Sequence, residues 1–184
     1  MNITNPMNQR QAFTIDTRAS TLTWTASKVT GQHHGSLALK SGSLDIQGGK
    51  PVGGEFVVDM TSLQVTDIKD AKLNNMLHDH LRSDDFFSVA KFPTASFRLT
   101  KVMPGKGDLS HVSGDLTIKG ITKPLSFDAQ IDVVGSTAKA KGTLTIDRTE
   151  YGIKFRSGKF FTGLGDILIH DTFAVTIDLV AHAS

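Results

Sequence analysis

The segment MLHDHLRSDDFF, residues 76–87, gathers two histidines, three aspartates and an arginine beside a pair of phenylalanines, side-chain types that ligate metals or move protons. Its spacing argues against a shared ion. On a helix, positions two apart lie about 200° around the axis, so His78 and His80 point to nearly opposite sides. The i, i+4 histidine pair of helical zinc sites is absent. His33 and His34 are adjacent, and in a strand they would face opposite ways. The histidines are therefore expected to face solvent or bond to neighbours, with no metal ligands among them. His80 is a separate case: it lies about 60° from Leu77 on the helical wheel. There it could give a ligand's polar head a hydrogen bond, or bond a helix-end carbonyl instead.

Nucleophilic and phosphate chemistry find no better footing. The chain has no cysteine, which removes thiolate ligands, thiol nucleophiles and disulfides without fixing a redox compartment. No G-x-S-x-G turn, phosphate-binding loop or dinucleotide fingerprint occurs, and the glycine-rich stretches separate alternating segments without leading into helices. Asp84 and Asp85 follow a helix, where solvated or capping aspartates are ordinary. Neither a catalytic residue nor a cofactor is expected.

The elements that must position these residues are mostly strands. From Phe13 onward apolar residues recur at every second position, the period of a strand with one face buried. Leu22, Trp24 and Ala26 show it. Leu37 and Leu39 carry it to Ser41-Gly42-Ser43, after which Leu44 and Ile46 resume on the other parity, so a turn or bulge is expected at Gly42. The cleanest run is Leu125, Phe127, Ala129, Ile131 and Val133. Ile167, Ile169, Phe173, Val175, Ile177 and Leu179 form a long final strand, in which Asp171 alone breaks the apolar parity. About eight strands with short connections favour antiparallel hairpins. The exception, residues 67–82, predicts one helix with Asp67 as its N-cap and Leu73, Leu77 and Leu81 as a narrow apolar stripe.

Such strands must hide one face each in a sandwich or a closed barrel, and their length favours the barrel. An eight-stranded barrel either fills with its own side chains or holds one small ligand. At 184 residues the chain fits a single domain, which buries about 70% of its unfolded surface. Residues 1–11 read as a flexible N-terminal tail and 12–184 as the domain. Twenty Lys and Arg against eighteen Asp and Glu give a net charge of +2 without a basic block, so nucleic acid is not an expected partner. No apolar run reaches the ~20 residues of a spanning helix, so the chain is not expected to be membrane-integral. Its start lacks the apolar stretch of a secretory signal, which predicts a chain either cytoplasmic or already trimmed.

The aromatics are unevenly placed. Phe86, Phe87, Phe92 and Phe97 crowd one connection, and Phe155, Phe160 and Phe161 crowd the segment YGIKFRSGKFFTGLGD. Either they plug the barrel ends or they line the mouth of an apolar tunnel. Lys154, Arg156 and Lys159 in the second segment could attract an anionic head group, or merely be solvated.

Three ordered segments resemble the YceI-like family of lipocalin-like, polyisoprenoid-binding proteins: HLRSDDFFSVAKFPTASFRLT, VSGDLTIKGITKPLSFD and RTEYGIKFRSGKFFTGLGDILIHDTFAVTIDLVA. The opening TIDTRASTLTWTASK resembles the family's first strand. The likeness covers about residues 13–182. It implies an all-β fold, an extended eight-stranded antiparallel barrel with one lid helix, that binds a long-chain isoprenoid or fatty-acid-like lipid without catalysis. The ligand would then lie among Phe56, Val58, Phe97, Leu116, Ile118, Phe127 and Ile131, with Met76, Leu77, Phe86 and Phe87 nearest the lid and His80 at the head group. The family is commonly exported, and several relatives pair as homodimers. The expected function is storage or transport of a quinone or polyprenyl type of lipid. Its rivals are an enzyme acting on a lipid or small molecule, and a filled-barrel interaction domain.

Overall fold

The computed structural model describes residues 9–184. Residues 1–8 of the expected tail lie outside the described residues, and the first strand already starts at Gln11. The strands are β1 (Gln11–Ile15), β2 (Thr21–Lys28), β3 (Gly31–Gln47), β4 (Lys50–Val65), β5 (Thr94–Pro104), β6 (Ser110–Ile118), β7 (Ile121–Val134), β8 (Thr137–Asp147) and β9 (Ile169–Ala183), and the helix is α1 (Ala71–Arg82). From β2 to β9 each strand pairs antiparallel with the next in sequence, and β2 also pairs with β9, which closes the barrel. Nine strands fill eight positions, because β1 and β2 lie end to end in one slot: β1 pairs with the far half of β3 and the end of β9, and β2 with the near half of β3 and the rest of β9.

The parity change in β3 is a bulge one turn of the pleat earlier than expected. Leu39 faces Val58 and Ser41 faces Val57, so Lys40 is the extra residue and no turn interrupts the strand. The bulge turns Leu44 and Ile46 back to the interior, where both are buried. Two glycines admit rings to that interior. A Cβ at Gly35 would lie 2.7 Å from the Trp24 indole, which donates its N–H to the Gln64 carbonyl at 3.1 Å, and one at Gly114 would lie 2.4 Å from the Phe97 ring.

The helix is shorter than its sequence range. It starts at Ala71, and Asp70 rather than Asp67 caps it, accepting the Leu73 N–H at 2.9 Å. Asp67 instead accepts from the His34 N–H at 3.1 Å and sits 2.8 Å from His33 Nδ1, tying the chain before α1 to β3. Of the predicted stripe, Leu81 is buried, Leu77 half-buried and Leu73 exposed. At the other end, the last three carbonyls of the helix are taken up: His80 accepts from the Ser83 N–H and hydroxyl, Leu81 from Phe87 and Arg82 from Val89. That winding folds Phe86 and Val89 under the helix, where both are buried. Ile167 lies outside the last strand, in a short 3-10 turn over Gly165–Ile167, and is exposed. Among the described residues no helix is long and apolar enough to cross a membrane.

Candidate ligand-binding cavity

The inward side chains do not close the barrel. They leave a cavity in which about 200 Å³ is open to the centres of water-sized molecules, an order of magnitude above what a single water needs. Its wall is carbon nearly throughout. The polar residues on it are Ser96, Lys139, Arg148 and His170, of which only Arg148 is buried. The lining runs along the whole barrel: on β9 it extends from Ile169 to Ala181, which at strand rise and usual barrel tilt spans about 30 Å of axis.

Of the residues singled out from sequence, Phe56, Val58, Phe97, Leu116, Ile118, Phe127 and Ile131 all line this cavity, as do Phe86 and Phe87. Ring centroids are 6.5 Å apart for Phe56 and Phe97 on the neighbouring strands β4 and β5, and 5.8 Å for Phe97 and Phe127, which meet across β6. At the lid end Phe87 stands edge-on to Phe173 at 6.0 Å. The other three lie elsewhere. Met76 is 60% exposed on the outer face of α1, one residue before the half-buried Leu77 on a helix whose buried side is narrow. Leu77 packs on the core without reaching the cavity wall.

His80 is likewise off the wall, and it joins lid to barrel. Its ring is edge-on to Phe86 at 5.0 Å and to Phe155 at 4.6 Å, and its Nε2 is 3.0 Å from an Asp85 carboxylate oxygen. Phe155 belongs to the β8–β9 connection, so this aromatic trio fastens α1 to that loop. His78 contacts Asp79, and His34 contacts Thr66. Among the described residues no group of three metal-ligating side chains converges.

Arg148 is the polar feature that the candidate set missed. Only 4% of it is exposed, and its Nε, Nη1 and Nη2 donate to the carbonyls of His170, Ile153 and Ile169 at 2.9, 3.0 and 3.0 Å. Burial lowers its pKa while Asp171 and Asp147 raise it, with burial the larger influence. Asp171 approaches Arg148 only to 3.8 Å, and its Oδ1 is buried without a hydrogen bond. Beside them Tyr151 is buried, which together with Glu150 pushes its pKa up to about 12 and keeps the phenol neutral. Asp147 is held below the usual carboxylate range: burial opposes this, but Lys159 and the Thr149 hydroxyl and N–H overcome it. The signal was present in parity. On β8, Leu144 and Ile146 face inward, so Arg148 takes the next inward place, opposite the one residue that breaks the apolar parity of β9.

Solved structures share this architecture. BcnA of Burkholderia cenocepacia superposes with a TM-score of 0.70 at 20% identity, covering 90% of this chain and 98% of that one. A polyisoprenoid binding domain from Saccharophagus degradans, implicated in plant cell wall breakdown, gives 0.66 at 18% identity over 95% of this chain and 99% of its own. In sequence, a UPF0312 protein of Pseudomonas aeruginosa is 38% identical over 85 residues, 43% of this chain and 44% of the relative. One from Pseudomonas putida is 30% identical over 128 residues, 66% of this chain and 64% of the relative. The chain thus spans between under half and just under two thirds of those relatives' lengths. The family model for the YceI-like domain matches residues 13–181, the whole barrel from β1 into β9, and the chain belongs to that family.

Proposed function

We propose that this barrel binds and carries one long-chain amphipathic lipid of the isoprenoid type, a quinone or polyprenyl compound, without transforming it. The observation that carries the reading is the carbon-walled cavity running about 30 Å along the axis. A bilayer's hydrocarbon core is also ≈ 30 Å thick and is spanned by two acyl chains end to end. A cavity of that length therefore suits a tail about twice as long as one ordinary acyl chain. The Saccharophagus degradans neighbour, described as a polyisoprenoid binding domain, agrees with this choice. Each buried CH₂ contributes roughly 0.8 kcal/mol gross, so the tail alone offsets the ordering costs of association.

Binding in place of catalysis is supported by how the buried polar residue on the wall is used. Arg148 spends three of its N–H groups on backbone carbonyls, which fixes it as a bracket. No cofactor enters the proposal beyond the lipid itself. Trp24, the sole tryptophan, lines the cavity and reports its contents. Titration with an isoprenoid quinone is expected to quench its emission saturably at one ligand per chain, and native mass spectrometry to show the same adduct. No quenching by any long-chain isoprenoid, with an unliganded mass after gentle purification from cells, would defeat the proposal.

A further inference from the structure

The β8–β9 connection has a second face that the cavity does not explain. Between Tyr151 and Gly165 it carries Lys154, Arg156 and Lys159 and no acidic residue. Phe160 and Phe161 are 46% and 50% exposed on a tight turn in which both of their N–H groups bond the Ser157 carbonyl. Lys154 Nζ sits 4.8 Å from the Phe160 ring centroid, and the Arg156 guanidinium 5.0 Å from that of Phe155. Lys159 is bonded to Asp147, whereas Lys154 and Arg156 form no ion pair among the described residues. Exposed Ile167 follows on the same connection. Exposed Val29 joins it from the β2–β3 turn, where its N–H bonds the Leu168 carbonyl at 3.3 Å. This end of the barrel thus offers water two phenylalanines, two aliphatic side chains and unpaired cations. At the opposite end Val52, Met103, Leu109 and Val134 are exposed in or beside three separate strand connections, with no aromatic among them.

The geometry points to a docking surface for an anionic lipid bilayer, formed by Phe160, Phe161, Ile167 and Val29 with Lys154 and Arg156. Aromatic rings enter the interfacial region while cations meet acidic head groups, and two such weak signals together give the stable, reversible attachment that neither gives alone. The purpose rests on the lipid-carrying reading. Phe155, on the same loop, packs on His80, which packs on Phe86 at the cavity wall. A bilayer seated on the outer face would therefore lie beside the lid, where a tail could pass without crossing water.

Cosedimentation with phosphatidylcholine vesicles, with and without about a third phosphatidylglycerol, tests this. Wild type is expected to partition at least tenfold more strongly onto the anionic vesicles, and about 0.5 M salt to remove most of that preference. F160S/F161S and K154E/R156E should each lower partitioning about tenfold. V134S at the opposite end should leave it unchanged. All of these side chains are exposed, and an unaltered melting temperature confirms that the variants fold. The inference is overturned if wild type stays in solution with anionic vesicles, or if the phenylalanine variant binds them as wild type does. It is equally overturned if that variant instead dissociates a dimer in sedimentation velocity, since the patch would then serve self-association. Isoprenoid delivered from cyclodextrin, read by Trp24 quenching, keeps the two proposals apart. Patch variants should take it up normally, and failure of wild type to do so would sink the cavity reading while leaving the vesicle result to stand.

Discussion

Arg148 shows how one side chain can organise a connection that has almost no regular structure. Its planar fork reaches three carbonyls on two segments, Ile153 within the connection and Ile169 and His170 at the start of β9, and only a guanidinium has donors in that spread. Arg148→Met keeps the stem and leaves those carbonyls without their donor, each costing about 1–3 kcal/mol where buried. A loss of about 3 kcal/mol overall, or about 6–12 °C in melting temperature for a chain of this size, is the expected result in a urea or thermal melt. Arg148→Lys should recover only a small part, because one ammonium cannot span three acceptors. A second substitution separates fold from binding. Ala140 lies on the cavity wall, half-buried on β8, and Ala140→Phe fills empty space. Its stability cost should stay under about 2 kcal/mol, while quenching of Trp24 by an isoprenoid quinone falls at least tenfold. At this scale alternation placed the wall residues of β4 to β7 well, since a strand leaves each side chain only two directions. It placed Met76 badly because a narrow helical stripe leaves most directions open. It passed over Arg148 because an arginine at an inward position reads as surface until Asp171 on the neighbouring strand is paired with it.

At the level of elements, α1 is held by few devices, and they differ in kind. Asp70 caps its start, the wound segment after Arg82 satisfies its end, and the Phe86, His80 and Phe155 rings fasten it to the far loop. Asp67 anchors the preceding turn to β3. Burial would raise its pKa, yet the bonds from His33 and the His34 N–H hold it below the ordinary 3.8. A carboxylate depressed by folding contributes stability that is complete above the unfolded value and is lost as pH falls through the folded one. Wild type should accordingly exceed Asp67→Asn by ~1 kcal/mol near pH 5, with the difference closing as pH falls below about 4 and through the depressed folded-state pKa. Equal melting temperatures at pH 5 would show that the tie does not matter. The helix was legible as an element because its residues favour helix and its leucines recur at i+4, but its N-terminus was displaced by one turn. Both Asp67 and Asp70 are competent caps, and the choice was made by the long-range bond from β3, which local spacing does not contain. The bulge at Lys40 was likewise visible as a parity change, while its exact residue depended on the partner strand.

For the whole molecule, closure and hollowness have one origin. Eight strand positions make a barrel just wide enough to be filled or to hold one ligand, and here alanines at 95, 129, 138 and 140 face the larger side chains without closing the gap between them. The barrel itself was readable from period and turn spacing, whereas its emptiness was not, because alternation reports which way a side chain points and never the sum of volumes inside. That sum sets a rule for ligands. While a tail lies wholly within the cavity, each added CH₂ contributes up to ~0.8 kcal/mol gross, less the cost of ordering it. Once the extended tail outgrows about 30 Å, further units remain in water and add nothing. Dissociation constants measured by Trp24 quenching over polyprenols of increasing length should therefore drop steeply and then level off. An affinity that keeps rising with length would mean that the tail is gripped on the outer surface, and one that is flat from the shortest compound would mean that only the head group is recognised.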